Sequence, residues 1–191
     1  MEEINLNQEP TSPATPENKN SLLGNILDYV ELFVIAVLAV LILFSFGVRV
    51  CTVDGESMRE TLQDRQQLLT TNFFYTPSTG DIIVFQETEV HDKPLVKRVI
   101  ATGGQHLQID PATKTVKVDG VELDEDYVYL IGGSYYNQQP IDIVIPDGWL
   151  FVMGDNRNNS DDSRNNHIGV IHESQIIGKV ILRFSPFTKF D

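Results

Sequence analysis

Cysteine is all but missing from this chain of 191 residues: the single one, Cys51, has no partner for an internal disulfide and cannot build a thiolate zinc cluster. Crosslinks and structural metal are thereby excluded as sources of stability, and the apolar core must hold the fold. Basic side chains are scarce as well. The 14 Lys and Arg stand against 27 Asp and Glu, a formal net charge of −13, which disfavours general binding to nucleic acid phosphates.

Charge also disappears locally. Residues 32–48 read LFVIAVLAVLILFSFGV, without one charged side chain. At 1.5 Å per helical residue, about 17 to 20 residues cover roughly 26 to 30 Å, the depth of a hydrocarbon layer. A buried core helix would show a polar residue at every third or fourth position, so this segment is expected to cross a membrane. A cleavable export signal is the rival, because Ser45 and Gly47 have small-x-small spacing. An acidic leader with Lys19 as its one cation, and an apolar run longer than a usual signal core, favour an uncleaved anchor. A lipid anchor on Cys51 is disfavoured by Val50, which stands where a small residue is wanted. Lys19 before the span and Arg49 after it do not fix orientation. The preceding 1–20 segment is rich in Pro, Asn, Glu and Thr and is expected to be disordered. The division is therefore a tail at 1–20, one transmembrane helix at 21–49, and a separate domain at 50–191.

Beyond Val50 no repeat and no long amphipathic helical pattern occurs. Short β-branched runs take their place: DIIVF (81–85), PLVKRVIA (94–101), TVKVDGVEL (115–123), WLFVMGD (149–155) and IIGKVILRF (176–184). Asp119 and Gly120 between two alternating arms are a two-residue hairpin signal. The domain is expected to be mainly antiparallel β. Residues 56–64 have room for one or two helical turns, and Phe73, Phe74 and Tyr75 are expected in the core or as a loop cover, with lipid headgroups as the lesser option. The polar stretches 132–140 and 154–166 are loops of the kind that carry function.

Ser57, in VDGESM, lies about nine residues past the last apolar residue of the span, close to the expected membrane surface. A serine alone is most often a turn residue or a helix cap. As a nucleophile it needs a base, and none of the four histidines, His91, His106, His167 and His172, falls in a catalytic motif. The G-x-S-x-G elbow is absent too. Lys97 is the other candidate base. A free lysine titrates near 10.4, but desolvation lowers that value by up to several units. On strand position alone, an exposed lysine beside Arg98 is the simpler reading of Lys97.

Four stretches in order after a membrane span alter that balance: VDGESMRETL (53–62), GDIIVF (80–85), VKRVIATGG (96–104) and GDNRNNSDDSR (154–164). Together they resemble the conserved boxes of type I signal peptidases, in a Gram-positive-like form. The resemblance covers about residues 22–191. It implies Ser57 as nucleophile and Lys97, 40 residues later, as general base. Ser160 matches the serine whose hydroxyl orients the lysine amine, and Asp155, Asp162 and Arg164 match residues that brace the site. Met58 matches a residue that helps shape the substrate pocket. Gly55 stands where some relatives carry a hydroxyl as second oxyanion donor beside the Ser57 N–H, which implies a backbone amide or water in that role.

The same resemblance implies two joined antiparallel sheet regions, related to the fold of self-cleaving repressor proteases. It implies no cofactor and no metal. Its partners would be the signal peptides of exported preproteins, the lipid bilayer and the translocation machinery, with the tail cytoplasmic and the catalytic domain extracytoplasmic. Two departures stand out: Glu60 replaces the usual proline after the nucleophile, and Ala101, Thr102, Gly103, Gly104 and Gln105 follow VKRVI in place of a glycine-apolar-proline-glycine-aspartate run. The calcium-loop reading of GDNRNNSDD fails, because Arg157 occupies the third ligand position. Two alternatives remain at this point. One is a repressor-type protease, for which no helix-turn-helix or basic patch is present. The other is an inactive anchored module that binds exported chains.

Overall fold

The computed structural model describes residues 22–87, 92–130 and 139–184. The 1–20 tail, His91 and most of the 132–140 loop lie outside the described residues. Helix α1 spans Leu22–Phe46, 25 residues or about 37 Å at the standard rise. Its 24–42 stretch is long and apolar enough to cross a membrane, and is the one such helix among the described residues. Ile26, Leu32, Phe33, Leu38 and Ile42 are all more than half exposed. The two charges of α1, Asp28 and Glu31, lie in its first half, and the uncharged remainder, apolar on every side, has hydrocarbon as its natural solvent because a helix satisfies its backbone internally.

From residue 42 onward the chain forms a second compact unit, built of strands. Its seven-stranded sheet contains β1 (Val48–Thr52), β2 (Gln67–Thr71), β3 (Ile82–Phe85), β4 (Leu95–Thr102), β9 (Trp149–Met153), β10 (Ile171–His172) and β11 (Ile176–Phe184). They run in the order β1-β2-β11-β3-β4-β9-β10, every pair antiparallel. The four-stranded sheet holds β5 (His106–Asp110), β6 (Thr115–Val118), β7 (Val121–Glu122) and β8 (Ile141–Val144), ordered β7-β6-β5-β8. The expected hairpin is present: Val118 pairs with Val121, and Asp119 and Gly120 both take positive φ, 52° and 78°.

The central strands are apolar on both faces because both are covered. In β9, Leu150 and Val152 enter one core cluster while Phe151 and Met153 enter another that includes the inner faces of β5 and β6. A bulge between Val99 and Ala101 explains three consecutive fully buried residues in β4: Val99 joins the first cluster, and Ile100 and Ala101 the second. A third cluster, Val53, Met58, Leu62 and Leu68, lies beneath the connection between β1 and β2.

Two expectations fail. Residues 56–64 form turns, with a single helical bond from Leu62 N–H to Met58 O at 2.7 Å. The carbonyls a helix would use are taken from outside, Ser57 O by Asn156 N–H at 2.9 Å and Glu56 O by the Asn156 side chain at 3.0 Å. Phe73 and Phe74 are 64% and 92% exposed, their rings stacked edge to face, whereas Tyr75 is half-buried and donates to Asp81. The short connection after β2 turns its first two aromatic rings away from the sheet.

Candidate active site

Ser57 rides on the loop between β1 and β2. The loop is closed at its base by hydrogen bonds between Val53 and Gln66 and between Arg65 and Val53, and pinned from below by buried Met58 and Leu62. Lys97 comes from β4, opposite Ile83 of β3. Its amine donates to Ser57 Oγ at 2.8 Å. The exposed-lysine reading is overturned: Lys97 is 2% exposed. Burial lowers its pKa to about 8, with the Asp162 and Asp161 carboxylates opposing that shift and the Arg164 guanidinium assisting it. A cleft of about 650 Å³ opens over the pair, walled by Asp54, Leu95, Asn159 and Asp161.

The 154–164 loop supplies the bracing. Asp162 is fully buried and takes two hydrogen bonds from the Arg164 guanidinium, at 2.7 and 2.8 Å, one from Arg164 N–H at 3.3 Å, and one from Gly154 N–H at 2.9 Å. Burial pushes its carboxyl up, but the Arg164 bonds and charge, with Gly154 and Ser160, hold it below the usual range. Asp155, also fully buried, receives the Arg98 guanidinium twice, at 2.8 and 2.6 Å, and the Thr61 hydroxyl at 2.5 Å. One carboxylate thus ties the residue after Lys97 to the nucleophile's own loop.

Three placements differ from expectation. The Ser160 hydroxyl is buried on the Asp162 side and no hydrogen bond joins it to Lys97, whose amine is held by Ser57 Oγ. Ser160 instead abuts Gly154, where its Oγ would lie 2.2 Å from an added Cβ. Met58, 1% exposed, sits in the core beneath the loop and does not line the cleft, because the turn after Ser57 sends its side chain inward. Truncation by Met58→Ala is expected to cost about 2 to 5 kcal/mol, measured by denaturant unfolding of the detergent-solubilised chain. Gly55 has φ +99° and gives its amide to Asp64 at 2.8 Å, so that amide is not free to serve as an oxyanion donor. The Ser57 amide, in contrast, has no partner among the described residues.

Sequence reasoning missed Thr61, Arg98, Gly154 and Asn156. All four lie inside the quoted boxes, yet nothing local tells which box each one grips. Among described histidines, His106 and His167 pair with Asp142 and Asp161 and His172 with Ser174, none of them with Ser57.

A buried amine on a serine hydroxyl, beside an open cleft, is the constellation of a hydrolase that uses serine and lysine. The family described as signal peptidase, peptidase S26, matches residues 26–185. A probable signal peptidase I-1 from Synechocystis sp. is 34% identical over 176 residues, covering 86% of this chain and 85% of that one. Signal peptidase IB from Staphylococcus aureus strain COL is also 34% identical, over 182 residues, covering 86% and 92%. A crystal structure of a signal peptidase I from Enterococcus faecalis V583 aligns with 56% of this chain and 98% of its own, at 27% identity and a TM-score of 0.47. The chain belongs to the signal peptidase S26 family and is a serine endopeptidase. The repressor-type and inactive-module alternatives are not favoured. Glu60, whose side chain is 65% exposed beside Arg59, leaves the contact between Ser57 and Lys97 intact.

Proposed function

We propose that this chain is a membrane-anchored endopeptidase that removes N-terminal signal peptides from exported preproteins, with Ser57 as nucleophile and Lys97 as general base. The supporting observation is the 2.8 Å hydrogen bond between a nearly inaccessible Lys97 amine and Ser57 Oγ. Neutral Lys97 accepts the Ser57 proton as Oγ attacks the scissile carbonyl. The Ser57 amide receives the developing oxyanion. Lys97, now an ammonium, returns its proton to the leaving amine, and an acyl-enzyme remains. Water activated by the same amine then hydrolyses the ester. Asp155, Asp162 and Arg164 hold the two reacting groups in register.

The preferred sites follow small side chains at the first and third positions before the cut, and the residues before 50 tether the enzyme where such segments leave the membrane. The tail faces the cytoplasm and residues 50–191 the extracytoplasmic side, next to the bilayer and the translocation machinery. Tethering raises the effective concentration of substrate without added contacts. No cofactor or metal takes part.

The sign of the pH dependence follows from the base. Lys97 works only when neutral, so kcat/KM for a model preprotein should rise about tenfold per pH unit below about 8 and level off above it. The assay uses the full chain in detergent, with a second preprotein carrying leucine directly before the cut, which should resist cleavage. A rising limb near 6.5 would assign the base to a histidine, and an uncleaved first preprotein would remove the substrate assignment.

A further inference from the structure

The chain leaving β7 crosses directly behind the catalytic loop. Glu125, whose side chain is 11% exposed, holds the fully buried Arg157 guanidinium in a fork at 2.5 and 3.0 Å, and also accepts from Tyr127 OH at 3.2 Å. The third guanidinium edge goes to the site: Arg157 Nε donates to Gly154 O at 3.1 Å. Gly154 in turn is packed against Ser57, whose carbonyl would lie 2.5 Å from a Cβ on that glycine. The same segment makes two more grips. Tyr127 places its ring 3.8 Å from the Arg98 guanidinium that holds Asp155. Tyr129 accepts from Arg157 N–H, donates its own amide to Asp155 O at 2.8 Å, and bridges to Asn156, the residue that holds Ser57 O.

We infer that residues 125–129 act as a positioning strap for the catalytic loop, with Glu125 as the residue that sets the place of the nucleophile through Arg157 and Gly154. Glu125 touches neither Ser57 nor Lys97, so it is a positioning residue and not a catalytic one. This inference rests on the assignment of Ser57 and Lys97 as the reacting pair. A buried charge pair that served stability alone would not need to direct the Arg157 Nε–H to a carbonyl of the catalytic loop. The fork fixes Arg157 in one rotamer, and the rotamer fixes the peptide against which Ser57 is packed. Because Glu125 is not among the groups that shift Lys97, loosening it should change geometry and leave the base's titration in place.

The test compares the full-length wild type with Glu125→Asp, Glu125→Gln and Arg157→Lys in detergent, on the same preprotein. Wild-type cleavage in that assay tests the function itself, and only the ratio of variant to wild type tests the strap. Near-ultraviolet circular dichroism and thermal melting give the folded fraction of each. Per folded molecule, Glu125→Gln and Arg157→Lys should lose roughly tenfold to a hundredfold in kcat. KM should stay within twofold, and the rising limb should stay near pH 8. Glu125→Asp should recover part of the loss. If Glu125→Gln does not fold, Arg157→Lys and Glu125→Asp carry the comparison, since both retain opposite charges, the first losing the fork and the Nε–H to Gly154 O and the second shortening the reach. A kcat within twofold of wild type in both would overturn the strap, as would a loss confined to KM or a displaced pH limb.

Discussion

Replacing Lys97 should abolish turnover while leaving a better folded protein. Lys97→Met is expected to lower kcat by roughly 10³-fold or more, because it removes the one base that hydrogen-bonds Ser57 Oγ among the described residues. Ser57→Ala should fall equally far, and the double variant no further, since the two groups act as one unit. Stability should move the other way. The Lys97 pKa is about 8 in the folded chain against an ordinary 10.5. Below pH 8 the amine is protonated in both states, and burying it costs the folded state roughly 3 kcal/mol at about 1.4 kcal/mol per unit. As pH rises from about 8 to 10.5 the folded state sheds its proton first, the penalty fades, and the wild type gains stability. Lys97→Met removes the penalty with a side chain of similar length. Its melting temperature at pH 7 should exceed that of the wild type by several degrees, and the gap should close by pH 10.5. Thermal melts of both full-length proteins at three pH values read this directly. A variant less stable than wild type at pH 7 would mean that the amine is not desolvated as its burial implies.

The same opposition of local and distant effects decides what could be read from the sequence. The strands and the apolar helix were legible because their signals are local: alternation and β-branching for β3, β4, β9 and β11, turn chemistry at Asp119 and Gly120, and an uncharged run for α1. Type and approximate bounds follow from a handful of neighbouring residues. Burial of Lys97 was not legible, because it depends on β3 and on the nucleophile loop, whose positions are set by contacts 14 to 40 residues away. The turn at 56–64 was misjudged as partly helical for the same reason, since Asn156, 100 residues on, takes the carbonyl of Glu56. The quoted boxes located Asp155, Asp162 and Arg164, but not their partners. Arg98 is 57 residues from Asp155, and Glu125 is 32 from Arg157. A charge in a sequence announces that it needs a partner without saying which one.

Gly154→Ala is expected to reduce kcat by roughly a hundredfold or more while the chain remains folded. The cause is space, not backbone freedom. An added Cβ would lie 2.5 Å from Ser57 O and 2.2 Å from Ser160 Oγ, both below any real contact distance. Neither neighbour can yield cheaply. Ser57 O is held by Asn156 N–H at 2.9 Å, and Ser160 crowds the site with its Cβ, at 2.6 Å from the added atom, as well as with its buried hydroxyl, so a rotation of the hydroxyl does not clear it. The glycine cannot retreat either, since its N–H is bound by Asp162 at 2.9 Å and its carbonyl by Arg157 at 3.1 Å. The methyl must therefore push the peptide of the nucleophile, and a shift near 1 Å at a reacting atom costs about two orders of magnitude in rate. Overpacking of this size costs stability about 1 to 3 kcal/mol, which unfolding curves on the full chain will register as a modest shift of midpoint. Adding Ser160→Gly to Gly154→Ala relieves the clash with the hydroxyl but not the one with Ser57 O, so the pair should recover stability more than rate. Should Gly154→Ala cleave preprotein within twofold of the wild type, Ser57 is not held from this side, and the close packing between the two loops has no part in setting the nucleophile.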